Sequence, residues 1–114
     1  MYFTEKERKI ITPFYKYLSD NKFVEEPFLL KWKNGTKILA TFYTAYDDFN
    51  DLEPEDSNYE EYNSFVMKIK KIICLNKKDG FDWVIDREIF EFSYKDFPDE
   101  IYNSKGELIS KREN

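Results

Sequence analysis

The sequence predicts an α+β domain: an N-terminal helix packed on a strongly bent antiparallel sheet of about five strands, a small barrel or half-barrel. Three observations predict it. One stretch near the N-terminus has apolar residues at helical spacing, most of the remainder alternates with a period of two, and the longest alternating runs change parity midway. A strand that changes face midway belongs to a bent sheet. The 114 residues suffice for one domain, 1–114, with a single core. Aromatic residues at 19% supply that core although 36% of the chain is charged and mean hydropathy is −0.75. Only the acidic stretch and the tail 111–114 resemble disordered chain in composition.

In segment 1–20, Thr4 and Glu7 have capping-box spacing, and Ile10, Ile11, Phe14, Tyr15 and Leu18 share one face. Pro13 allows either one kinked helix or a short helix starting near Thr12. Segment 27–46 reads as a hairpin. Phe28, Leu30 and Trp32 alternate with Leu29 and Lys31, and Ile38, Ala40, Phe42 and Tyr46 share a parity. A two-residue Asn34-Gly35 loop would set Leu30 opposite Leu39 and split the apolar sets. A three-residue loop with Gly35 left-handed sets Leu30 opposite Ile38 and Phe28 opposite Ala40, so the three-residue loop is expected. Segment 47–62 reads as an acidic loop, and 63–94 as long bent strands. In the latter, Phe65, Met67 and Ile69 give way to Ile72 and Cys74 across a bulge at Lys70-Lys71. A turn at 76–80, a run Phe81, Trp83, Ile85, and then Phe90, Phe92 and Tyr94 follow. The C-terminal segment 95–114 is irregular, with a small hairpin around Ser104-Lys105-Gly106.

The acidic stretch dominates the charge. Residues 47–62 carry eight carboxylates and no Lys or Arg, a formal −8 in a molecule whose net charge is −5. Asp47, Asp48, Asp51, Glu53, Glu55, Asp56, Glu60 and Glu61 form the predicted charge surface, with Phe49, Tyr59 and Tyr62 as interface anchors. Tyr brings large area, little rotamer entropy and one hydroxyl to an interface. Carboxylates around such rings steer a basic partner and repel phosphate backbones. The chain has no His, which removes the usual base near neutral pH and the usual nucleophile pairs. Its glycines stand alone in turns, so no phosphate cradle is expected. The acidic residues fail the alternating ligand pattern of a Ca²⁺ loop at Phe49, and no Gly follows. One Cys gives no internal disulfide, and no apolar run reaches the ~18–20 residues of a membrane span. No cofactor, metal or enzymatic activity is therefore expected, and the location is expected to be cytoplasmic.

Residues 35–50 have spacing that resembles the first motif of the Sm-like family: Gly35, Ile38, Ala40, Phe42 and then Asp47-Asp48-Phe49-Asn50. The resemblance implies a small bent barrel in a ring-forming RNA-binding module, with a base pocket shaped by Asp47, Phe49 and Asn50. Ala40 stands where that family usually has Gly, and the place of its second motif reads IICLNKKDG.

The composition points to a non-enzymatic acidic binding protein that blocks the basic, nucleic-acid-binding surface of a protein partner. An immunity protein against a toxin nuclease and a phage-encoded, anti-CRISPR-like inhibitor of a defence nuclease both fit. The alternatives are the Sm-like module and a small structural subunit. Direct nucleic-acid binding is disfavoured by the net negative charge.

Overall fold

The computed structural model describes residues 3–75 and 88–112. Helix α1 (Glu5–Asp20) runs through Pro13, so the single-helix alternative is the one adopted. Proline removes one helical hydrogen bond. The loss is tolerated because Pro13 faces solvent while Ile11, Phe14 and Leu18 bury the opposite face. The capping box at Thr4 and Glu7 forms, and the Glu7 carboxylate accepts the Thr4 backbone N–H at 2.8 Å.

Among the described residues six antiparallel strands follow: β1 (Pro27–Lys31), β2 (Lys37–Phe49), β3 (Glu61–Cys74), β4 (Ile89–Phe92), β5 (Glu100–Tyr102) and β6 (Leu108–Lys111). Their order is β4-β3-β2-β1-β5-β6 in one sheet. This corrects the expectation of about five strands in a barrel or half-barrel. The sheet stays open because β4 and β6 lie at opposite edges and α1 fills the face toward which closure would have to curl. Ile11, Phe14 and Leu18 meet Phe28, Leu30, Ile38, Ala40, Phe65 and Met67 there.

The first hairpin has the expected register, with Leu30 opposite Ile38 and Phe28 opposite Ala40. Trp32 N–H donates to the Thr36 carbonyl at 2.9 Å, leaving a three-residue loop with Gly35 at φ +97°. A Cβ at that φ is strained, which is why glycine serves here. Register shifts between β2 and β3 do the bending. Lys70 is the extra residue between Ile69 and Lys71, where the sequence parity switches. A further shift at Tyr43 was not foreseen. It turns Tyr46 away from the face of Ile38 and Ala40, so Tyr46 is 40% exposed, against the expected shared parity. The expected turn at 76–80 and the run 81–85 lie outside the described residues. The C-terminal hairpin forms as β5 and β6, turning at Gly106 with φ +81°.

Glu26 ties the helix to that hairpin. Its carboxylate accepts the Tyr17 hydroxyl at 2.9 Å, the Ser104 N–H at 3.0 Å and the Ser104 hydroxyl at 2.7 Å. Burial alone would raise this carboxyl, but the Ser104 and Tyr17 donors outweigh it and hold it below the ordinary 4.5. A lowered folded pKa stabilises fully above the unfolded value and is lost as pH falls through the folded one. Urea midpoints measured from pH 7 down to pH 3 should therefore drop below about pH 4.5, and Glu26→Gln should flatten that drop. An unchanged acid slope in the variant would assign the loss to other carboxylates.

Candidate functional site

The acidic stretch is not the free loop that its composition suggests. Its ends are strand: Asp47, Asp48 and Phe49 belong to β2 and pair with Asn63, Tyr62 and Glu61 of β3. β1 pairs with β2 only as far as Thr41, and β4 pairs with β3 only from Phe65 onward. Among the described residues, Tyr46–Phe49 and Glu61–Ser64 therefore form a two-stranded arm with no third strand beside it.

A hydrogen-bonded tip closes the arm. The Asn50 side chain accepts the Glu60 N–H at 3.2 Å and donates to the Asn58 carbonyl at 2.7 Å. Asp56 Oδ1 accepts the Asn58 N–H at 2.8 Å, and Asp51 takes the left-handed φ of +67°. Asp and Asn suit both roles because short polar side chains bond nearby backbone and tolerate that conformation.

Two clamps hold the arm. Near its base, buried Glu7 accepts the backbone N–H of Asn63 and its side-chain amide, the latter at 3.1 Å. Next to the tip, Glu60 accepts the Lys95 ammonium at 2.8 Å and the Tyr94 hydroxyl at 2.6 Å, with Lys6 of α1 at 3.5 Å. Lys95 also sits over the Tyr62 ring, 4.7 Å from its centre. The Lys95 and Tyr94 bonds hold the Glu60 carboxyl below the ordinary 4.5. Burial, reinforced by Glu60, pushes the Tyr94 phenol up to about 12, so it stays a donor.

The predicted site residues thus divide by role. Asp51, Glu53, Glu55 and Asp56 are exposed at the tip. Asp47, Phe49 and Glu61 lie on the face toward α1, and Phe49, 48% exposed, leans on Tyr59 with ring centres 6.4 Å apart. Asp48 and Tyr62 lie on the opposite face. Glu60 belongs to the clamp, so its charge is already partnered. Sequence reasoning missed Leu52, 37% exposed at the tip, although an aliphatic residue set between Asp51 and Glu53 was a signal for it.

It also missed a cleft of about 560 Å³ beside the arm. Asp48 and Tyr62 line it with Val66, Ile89, Glu91 and Asp96. Glu91 alternates with Phe90 and Phe92 in the sequence, and the pairing of β4 with β3 brings it to the same cleft as Asp48. The Tyr46 hydroxyl donates to Glu91 at 2.6 Å, and this bond raises the phenol to about 12. Asp96 accepts the Ser93 N–H at 2.8 Å, and the Trp32 indole N–H fixes its carbonyl at 2.8 Å. Desolvation in the cleft raises the Asp96 carboxyl above its ordinary value, although the residue keeps an exposed side.

The far end of the sheet is basic, with Lys31, Lys33, Lys37, Lys111 and Arg112 around one hollow. Among the described residues, no group of three His, Cys, Asp or Glu side chains is placed to hold a metal. No described helix is long and apolar enough to cross a membrane.

No curated protein and no solved structure matches the chain. The Sm-like expectation is overturned by a match to a different family that runs far beyond residues 35–50. The geometry offers the reason: Asn50 spends its side chain on the arm's tip, and the sheet that would form an Sm-like barrel is open. The family that does match, described as cognate immunity protein YxxD, covers residues 7–114, and the chain belongs to it.

Proposed function

We propose that this immunity protein holds its toxin through the acidic arm, and that the face it covers is a basic, nucleic-acid-binding surface of a toxin nuclease. The observation that carries this reading is the arm's preorganisation. Its carboxylates and exposed rings stand on a two-stranded ribbon clamped by Glu7 and Glu60 before any partner arrives. A preordered surface avoids the ordering cost that weakens flexible binders. Its negative field raises the encounter rate with a cationic partner. Phe49, Leu52 and Tyr59 supply apolar contact at the centre of that field. The protein acts by occupancy, without turnover, in the cytoplasm, where it keeps nucleic acid off the toxin.

Glu53 and Glu55 are suited to the test because both are exposed at the tip. Reversing Glu60 would break the clamp and confound the result. The Glu53→Lys/Glu55→Lys variant should fold normally and associate with the cognate toxin roughly tenfold or more slowly at low salt. The difference should shrink at high salt. Stopped-flow or surface-plasmon association rates measure it, and equal rates for parent and variant at low salt would exclude the arm as the steering surface.

A further inference from the structure

We infer that the cleft beside the arm receives an arginine side chain of the toxin. This deepens the arm-docking reading and rests on it. The cleft, about 560 Å³, is within the usual range for a ligand pocket, roughly 300–1,000 Å³. Its walls combine two kinds of surface. Val66 and Ile89 offer apolar contact for an alkyl stem, while Asp48, Glu91 and Asp96 bring three carboxylates to the same space. No Lys or Arg among the described residues lines it, and the two cations that act on Asp96, Lys95 and Arg112, stand outside the lining.

The chemistry selects guanidinium over other cations. A bare metal ion needs ligands converging on one point, and no such group exists among the described residues. Glu91 instead has one bond committed, to the Tyr46 hydroxyl, and Asp96 has two, to the Ser93 N–H and its own backbone N–H, which leaves their remaining lone pairs for an extended donor. A planar fork with five donors meets several carboxylates at once, and it is more weakly hydrated than ammonium, so it loses less on leaving water. The Tyr62 ring in the wall, with Lys95 already standing over it at 4.7 Å, adds further apolar surface for the stem. Position agrees with chemistry, because Asp48 and Tyr62 also belong to the arm. A toxin seated on the arm therefore presents its neighbouring side chains to the cleft.

The test uses the full chain and two probes. In a ¹⁵N-HSQC titration, N-acetyl-arginine methylamide should shift the amides of Val66, Ile89 and Glu91, and the neutral citrulline counterpart should not. Glu91→Gln and Asp96→Asn should each reduce the arginine-induced shifts several-fold. Both keep an oxygen acceptor for the existing bond to Tyr46 or Ser93. In a second arm, the double variant should weaken the cognate toxin on the order of tenfold. Equal shifts with arginine and citrulline would overturn the site. Arginine shifts with unchanged toxin affinity would overturn the toxin as the source of the side chain. In that case a slowed Glu53→Lys/Glu55→Lys variant would still support the arm, so the two readings fail separately.

Discussion

Replacing Glu7 by Ala is expected to cost about 2–4 kcal/mol of folding stability. Glu7 is 0% exposed, and its carboxylate accepts the Asn63 backbone N–H, the Asn63 side-chain amide and the Thr4 backbone N–H. An unsatisfied buried donor costs about 1–3 kcal/mol, and truncation would orphan more than one. Removing a buried charge returns part of its desolvation cost, which keeps the total from being larger. Glu7→Gln should lose less, because the amide oxygen still accepts from Asn63 while the amide nitrogen meets the Thr4 N–H in place of an acceptor. Urea unfolding at pH 7 gives both values. Hydrogen exchange in Glu7→Ala should also quicken more at Asn63 than at Leu30, since the arm loses a clamp and the central strand does not. An Ala variant within about 0.5 kcal/mol of the parent would mean that the carboxylate does not hold the arm.

Two phenylalanines on neighbouring strands should separate stability from binding. Phe65 is fully buried, stacked on Phe92 at 6.0 Å and edge-on to Phe97 at 6.0 Å. Phe65→Ala is expected to destabilise the fold by about 3–5 kcal/mol, from lost transfer energy and the cavity left among rings. Phe49 carries the same side chain, 48% exposed, on the arm. Phe49→Ala should change stability by less than about 1 kcal/mol, because little apolar area leaves a core. Toxin affinity should instead fall by about 2 kcal/mol, near thirtyfold, if Phe49 is an anchor. Thermal unfolding and toxin titration on the two variants give the comparison. Full toxin affinity in Phe49→Ala would remove it from the interface.

Local signals in the sequence were sufficient for much of the architecture. Ile11, Phe14 and Leu18 announced the buried face of α1 through their spacing. The register of the first hairpin followed from keeping Leu30 and Ile38 on one face, which favoured a three-residue loop over a two-residue one and put Gly35 in the left-handed position. The parity switch at Lys70-Lys71 marked a real register shift. The concentration of negative charge in residues 47–62 was legible before any geometry was known.

What stayed hidden depends on residues far apart in the chain. Asp47 to Phe49 lack the composition of a strand, yet the ladder already formed at Ala45 and Phe65 extends through them to Asn50. Glu7 reads locally as a capping residue, and its second role emerges only when Asn63, 56 positions away, is brought against the helix. The cleft needs β4 to pair with β3, which places Glu91 and Asp96 near Asp48. Period and charge are written locally, so the sequence alone determined the helix, the first hairpin and the acidic character of residues 47–62. Pairing is a non-local choice that depends on which ladder edge is free and which polar groups still need partners. The tertiary structure therefore decided that the acids stand on a clamped arm, that the sheet remains open, and that a cleft lies beside it.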